Sequence, residues 1–457
     1  MISNQTINNL KAALSGFSTL TLKRYAGPYR HTYKWLQQTQ WYSPDQLKHL
    51  QLVLLKRIVN HAYNTVPFYR NAMDADGIKP SDINRLEDIE KFRIINKADL
   101  KKSGSDMYSK KYPSLFLKTA HTGGTTGLPV PLKRDIFSIG NEHAFVRRQF
   151  DWAGLKPSDT TAYLEGRKPK FANSNANPKY HYDSAAKELT LSTFDLNEKS
   201  ALDYADLIKS YNVKALIAYP SAAFVMAKVC TQNQINLHLK AVLTTAETID
   251  EYKKNIISKA FNCDVFDFYG SSERVCYIHC CPSGTYHIIP EYGLVELKPL
   301  ENSPPQTFKI IATGFWNMAM PLIRYDTKDL VVADGTKCPC GRNFPTIKKI
   351  SGRESNLLTT PSAVQLGPAA IECILGRVLY QTYDMPILAA RVIQDSTDTL
   401  TLEYVPTEGF SPRHLKIIQK RFNKQISSGF KAQTKAVKDI KRTPSGKFLS
   451  FVMSEHH

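Results

Sequence analysis

The stretch SALDYADLIKSYNVKALIAY, residues 200–219, changes its pattern halfway. Ala201, Tyr204, Ala205 and Ile208 recur at helical spacing, and VKALIAY then reads as a β-rich run. Two more runs of the second kind follow, LKAVLTTAE (239–247) and NCDVFDFYG (262–270). Helix-like and strand-like segments that alternate in this way predict βα units and a mostly parallel sheet. EYGLVELKPL (291–300) and TFKIIATGF (307–315) read as antiparallel strands beyond it.

Working outward, residues 1 to about 110 read as mainly helical. SPDQLKHLQLVLLKRIVNHAYNTV (43–66) has helical apolar spacing, with Ser43 before Pro44 as a start signal. VPFYRNAMDADGIKPSDINRLEDIEKF (66–92) looks like short helices with polar breaks. A boundary falls at SGRESNLLTTPS (351–362), where a Gly, polar residues and a Pro interrupt the pattern. Beyond it, AAIECILGRVL and SPRHLKIIQKRFNKQI read as helices, and MPILAARVIQD and TLTLEYVP as strands. The expected organisation is an α/β protein in three parts: a helical region 1–110, a core 111–352, and a small α+β unit 353–457.

The composition narrows the class. Of 457 residues, 60 are Lys or Arg and 41 Asp or Glu, giving a net charge of +19. That excess favours anionic partners: nucleotides, nucleic acid, an acidic polysaccharide or an anionic membrane surface. It gives no clear nucleic-acid signature, although LKRYAGPYRHTYKW (22–35) alternates basic and aromatic residues. The apolar run ALIAYPSAAFVMAKVC (215–230) is too short to span a bilayer and is interrupted by Pro220. With no signal-peptide pattern, the expected location is the cytoplasm. Of eight cysteines, Cys276, Cys280, Cys281, Cys338 and Cys340 crowd into one region, which in a cytosolic protein points to metal before disulfides.

The loop HTGGTTGLPV (121–130) holds three Gly and three Thr between Thr122 and Gly127. Its glycines let backbone approach a ligand closely, and its hydroxyls and amides suit phosphate oxygens. It lacks the GxxxxGK[ST] pattern of a P-loop. Five further motifs follow in order: TTAET (244–248), YGSSE (269–273), RYDTKDL (324–330), GRESN (352–356) and KRTPSGK (441–447). This ordered set resembles the adenylate-forming superfamily of acyl-CoA synthetases, luciferases and adenylation domains. LLKRIVNHAYNTVPFYR and the cysteine cluster look most like its phenylacetate–CoA ligase branch, and within that the capsule-biosynthesis group called CapK-like.

The resemblance implies an ATP-dependent carboxylate ligase working through an acyl-adenylate, with CoA or an amine as acceptor. It further implies that Thr122, Thr125, Thr126 and Gly127, with Gly123 and Gly124, cradle the β/γ-phosphates. Tyr269 packs on adenine, with Ala246 and Glu247 along its edge and Gly270, Ser271 and Ser272 lining the α-phosphate side. Asp329 takes the ribose hydroxyls, with Arg353 nearby. Glu273 helps to hold Mg²⁺, which prefers oxygen ligands. Lys447 bridges carboxylate and α-phosphate, so Lys447, Glu273 and Thr126 are the expected catalytic residues. Both reactants are anions, so positioning and positive charge matter more than acid–base groups. A hinge is expected at GRESN, where Asn356 replaces the family's usual Asp. Lys328 replaces a usual Gly and puts extra charge near the ribose site.

Tyr219, Pro220, Ser221 and His121 are candidates for the acid pocket, with Phe315 or Trp316 beside them. Cys281, His287, Cys338 and Cys340 suit a tetrahedral, structural Cys₃His zinc site, with Cys280 and Cys276 as competitors for Cys281. The likeness to the CapK-like group points to an anionic polysaccharide or its precursor. The competing class is a catalytically inactive, zinc-stabilised protein that binds a polyanion.

Overall fold

A computed structural model of the chain describes residues 27–113, 115, 117–122, 129–169, 179–333, 335, 337–360, 365–380, 385–426 and 429–454. The phosphate-loop residues Gly123, Gly124, Thr125, Thr126 and Gly127 lie outside the described residues, as do residues 22–26 of the basic–aromatic stretch.

The opening stretch forms the helix Glu198–Ser210 and the strand Val213–Ala218. Asn197 caps the helix by accepting from the Ser200 amide at 3.0 Å. The apolar run that continues from this strand breaks at Pro220, which starts the helix Pro220–Gln232. Proline suits that first position because the amide it lacks has no partner in a helix's first turn. The result is a strand–helix unit.

Five parallel strands stand side by side: Asp264–Gly270, Ala241–Thr245, Val213–Ala218, Thr160–Leu164 and Glu188–Leu191. Antiparallel strands extend the sheet to nine: Tyr277–Cys280, Tyr286–Ile288 and Thr346–Ile347 on one side, Tyr180–Asp183 on the other. The fold is thus mixed α/β. Ala162, Leu216, Val242 and Ile257 are buried completely in one core cluster. Each buried Leu, Ile or Val contributes roughly 1.5–3 kcal/mol. The same cluster takes in Leu375, Met385, Ile387 and Phe451 of the C-terminal unit, so that unit packs on this core. On the opposite face the helix Ile136–Trp152 places Phe150 against Ala215, Leu243 and Phe266.

A second, antiparallel sheet runs Gly293–Pro299, Thr307–Gly314, Tyr325–Val332 and Lys349–Arg353. Its register sets Asp329 opposite Arg353. The N-terminal helix Pro44–Thr65 packs Leu54, Leu55, Ile58 and Val59 into the core that underlies this sheet. Ser43 starts it with a capping box: its hydroxyl accepts from the Gln46 amide, and its own amide donates to the Gln46 side chain at 2.9 Å. The C-terminal unit is the sheet Lys431–Ala436, Thr399–Pro406, Ile387–Ser396 and Phe451–Met453, with helices Pro368–Leu379 and Pro412–Gln425.

The Gly/Thr loop hangs from a two-stranded hairpin, Leu117–His121 with Pro131–Asp135. Among the described residues, no helix is long and apolar enough to cross a membrane.

Candidate active site

Parallel strands all end on one side of their sheet, and the loops that follow them meet there. The cleft at this edge, about 150 Å³, is lined by Ala246 and Glu247, by Tyr269, Gly270 and Ser271, by Asp329 and Arg353, and by Lys447. Four of the motifs thus converge, although Ala246 and Lys447 lie two hundred residues apart in sequence. The fifth, GRESN, contributes Asn356 as well as Arg353.

Asp329 organises the centre. Tyr269 Oη donates to its Oδ2 at 2.6 Å, and Arg353 Nε to its Oδ1 at 3.0 Å. Burial raises the Asp329 carboxyl above its ordinary range, against the pull of Arg353. Tyr269, expected on the adenine, lines the cleft with its ring and spends its hydroxyl on Asp329. Glu273 stands nearby and accepts from Tyr325 Oη at 3.2 Å. Lys447 has no hydrogen bond or ion pair from its ammonium group among the described residues. Burial and the neighbouring Arg353 depress its pKa, while Glu247, Asp329 and Glu273 oppose that fall.

Some expected residues have other partners. Glu247 lines the cleft, but its carboxylate accepts from the backbone amides of Ser221, at 3.0 Å, and Phe448. Thr122 is buried and closes the neck of the Gly/Thr loop. Its amide donates to the Val130 carbonyl, and its hydroxyl accepts from the Val130 amide, both at 3.0 Å. Ser272 offers its carbonyl to Arg134, a cation that the sequence reading missed. Lys328 turns away from Asp329 and pairs with Asp326 at 2.8 Å and Glu354 at 3.2 Å. Its φ of 60° explains the expectation of glycine there, since a Cβ is disfavoured in that region.

The sequence reading also missed Asp267, a carboxylate in the cleft wall. Thr244 Oγ1 and Tyr286 Oη donate to it at 2.7 and 2.9 Å, and burial pushes its pKa up to about 7. Its signal was a charged residue inside the apolar strand DVFDFYG.

A second cavity, about 340 Å³, shares Ala246 with the cleft. Tyr219, a candidate for the acid pocket, stands in its wall with Tyr163, Phe268, Glu165, Arg167 and Glu188. Pro220, Ser221 and His121 do not line it. Pro220 starts a buried helix, Ser221 faces Arg442, and His121 ends the exposed hairpin. Phe315 is core, and the Trp316 indole donates to the Glu291 carbonyl.

The ligand atoms of Cys281, His287, Cys338 and Cys340 lie within 4.8 Å of one another. Cys281 and Cys338 sulfurs are 3.5 Å apart, and Cys340 Sγ is 3.4 Å from His287 Nε2. Zinc–sulfur bonds of about 2.3 Å in a tetrahedron put sulfurs about 3.8 Å apart, so the donors fit such an ion. His287 Nδ1 faces the Phe344 carbonyl at 3.4 Å, which fixes the ring as second-sphere partners of ligating histidines do. Cys280 points elsewhere, toward the Cys281 carbonyl, and Cys276 is buried in another core cluster.

The mixed sheet, the C-terminal α+β unit and the cleft between them define the fold of the adenylate-forming ligases. By sequence, the chain is similar to CapK and to the phenylacetate–coenzyme A ligases. It is 23% identical over 359 residues to protein CapK of Staphylococcus aureus, covering 77% of this chain and 76% of that one. It is 26% identical over 345 residues to the phenylacetate-coenzyme A ligase of Aromatoleum evansii, covering 72% and 75%. Residues 373–455 match the family model of the CapK C-terminal domain. Among solved structures, 2-hydroxyisobutyryl-CoA ligase with R3-HIB-AMP in the postadenylation state superposes with a TM-score of 0.71, at 18% identity and 91% coverage of each chain. The same ligase scores 0.55 in its thioesterification state and 0.51 in an open conformation.

Proposed function

We propose that this protein is an ATP-dependent carboxylate ligase. A carboxylate oxygen attacks the α-phosphorus of ATP, the bond to the β-phosphate breaks, and pyrophosphate leaves. The thiol of CoA, or an amine, then attacks the acyl carbon, and AMP departs with the bonding electrons. The observation that carries this reading is Lys447, an ammonium unpaired among the described residues, within a cleft that also holds Asp329, Arg353 and the ends of two parallel strands.

In this reading Lys447 neutralises charge between the carboxylate and the α-phosphate as it builds. Asp329 keeps lone pairs for the ribose, and Arg353 and Tyr269 hold its carboxylate in place. Ala246 and Gly270 give the nucleotide close access to backbone. The loop 122–127 takes the β/γ-phosphates, with Thr126 among its donors. Glu273 is the carboxylate that would hold Mg²⁺, which would supply charge neutralisation on the phosphates. The cavity that meets the cleft at Ala246 takes the acid. Its aromatic walls and its charged Glu165, Arg167 and Glu188 suit a compact acid with polar substituents better than an alkyl chain. Residues 353–457 act as the mobile lid, hinged at GRESN, where Gly352 has a φ of +100°.

Cys281, His287, Cys338 and Cys340 hold a structural zinc ion, since four protein ligands leave no position for substrate. The relation to CapK supports a place in surface-polysaccharide synthesis, with an anionic sugar polymer or precursor as acceptor. The +19 charge fits that acceptor, and also a peripheral contact with an anionic membrane in the cytoplasm.

ATP–pyrophosphate exchange across a panel of carboxylic acids tests the reading. The expected result is exchange with at least one acid, reduced by about 100-fold or more in Lys447→Ala. No exchange with any acid, together with tight, salt-sensitive binding of a polyanion, would favour the inactive binding protein instead.

A further inference from the structure

The lysine-bearing turn, residues 442–448, is seated on the ends of the parallel strands by contacts that the proposed chemistry does not use. Tyr219 Oη donates to the Ser445 carbonyl at 3.0 Å. Arg442 donates to Ser221 Oγ at 2.9 Å and to the Gly446 carbonyl at 3.2 Å. The Phe448 amide donates to Glu247, whose other oxygen takes the Ser221 amide. Beneath the turn lies Gly166. A Cβ there would lie 2.0 Å from the Ser445 carbonyl oxygen and 2.6 Å from Tyr219 Oη, both atoms of this seat, and its φ is not positive, so close approach rather than backbone conformation calls for glycine. Gly446 is its counterpart, with a φ of +78° and its Cα side pressed on Gly166 and Thr193.

We infer that Gly166, with Tyr219 and Glu247, forms a seat that admits the Lys447 turn only in the adenylating position. Gly166 is a positioning residue: it acts through Lys447 and touches no reactant. A methyl at 166 meets the Ser445 carbonyl oxygen and the Tyr219 hydroxyl, and so blocks docking of the turn. This inference deepens the ligase reading and rests on it for its catalytic meaning, but the seat itself can be measured without turnover.

The experiment is hydrogen exchange of the full chain with Mg²⁺ and α,β-methylene-ATP, followed by mass spectrometry. Wild type is expected to protect the peptide holding Phe448. Gly166→Ala is expected to exchange it at least about tenfold faster, with the Pro220–Gln232 helix unchanged. Tyr219→Phe, which removes one hydrogen bond and no packing, is expected to speed it by about fivefold. Pyrophosphate exchange with the acid that wild type uses is expected to fall in parallel. Equal protection of this peptide in wild type and Gly166→Ala, with both equally active, overturns the seat. A wild type that activates no acid while Gly166→Ala still frees the turn refutes the ligase reading and leaves the seat standing. Should Gly166→Ala fail to fold, an unchanged Phe448 peptide in Tyr219→Phe overturns the inference instead.

Discussion

Replacing Asp267 by Asn gives a test with a defined sign. Asp267 is buried between Thr244 and Tyr286, and burial raises its pKa from 3.8 to about 7. The folded protein therefore binds this proton more tightly than the unfolded chain does. The stability Asp267 contributes is fully present below the unfolded value and is lost as pH rises through the folded value. A shift of about three units corresponds to about 4 kcal/mol, of which about 2.5 kcal/mol falls between pH 5 and pH 8. Asn has no such titration, and its amide oxygen still accepts one hydroxyl. Melting curves of both proteins should therefore converge or cross on raising the pH. Spread over the unfolding entropy of a chain this long, 2.5 kcal/mol amounts to about 3 °C in Tm at pH 8 relative to pH 5. Parallel pH profiles for wild type and Asp267→Asn would refute the argument. In the proposed reaction the same profiles bear on activity, because Asp267 lines the cleft that also holds Lys447 and an anionic wall there opposes anionic ATP.

Arg148 and Glu291 form an ion pair with both side chains fully buried, 2.7 Å apart. Glu291→Gln leaves the guanidinium buried without its counter-charge and should cost about 3–5 kcal/mol, seen as a fall in Tm. Replacing both by apolar residues of similar volume should recover most of it. For the metal site, purified protein should carry about one equivalent of zinc, falling to near zero in Cys338→Ser/Cys340→Ser; metal content that does not change would sink the site. Ala246 holds a φ of 68°, so Ala246→Gly should be within about 1 kcal/mol of neutral, whereas Ala246→Val should destabilise by more than that.

The strand–helix alternation was legible because hydrophobic spacing is local. The helix Pro44–Thr65, the strands Val213–Ala218 and Asp264–Gly270, and the Pro220 break all fall where the pattern put them. What local pattern does not carry is which polar group meets which across the chain. The motif TTAET gives no sign of Glu247's partner: its hydrogen bond with Phe448 spans 201 residues. Asp267 passed unnoticed because its partners sit on the strand beside it and beyond the next hairpin. The choice among cysteines needed register. His287 pairs with His279, and side chains alternate along a strand, so Cys281 shares that face while Cys280 takes the other with Tyr286. Spacing alone left the two open.

The turn that carries Gly166 has a kinetic implication. Its neighbours on either side, Glu165 and Arg167, line the second cavity, proposed above to take the acid, while Gly166 lies against the Ser445 carbonyl. One three-residue turn thus faces both the acid and the lysine. In the proposed reaction, an acid that fits that cavity badly would displace the floor on which the lysine lands. Discrimination between acids then shows in the turnover rate of bound substrate more than in how tightly it is held, and weak binding of a poor acid is not needed to reject it.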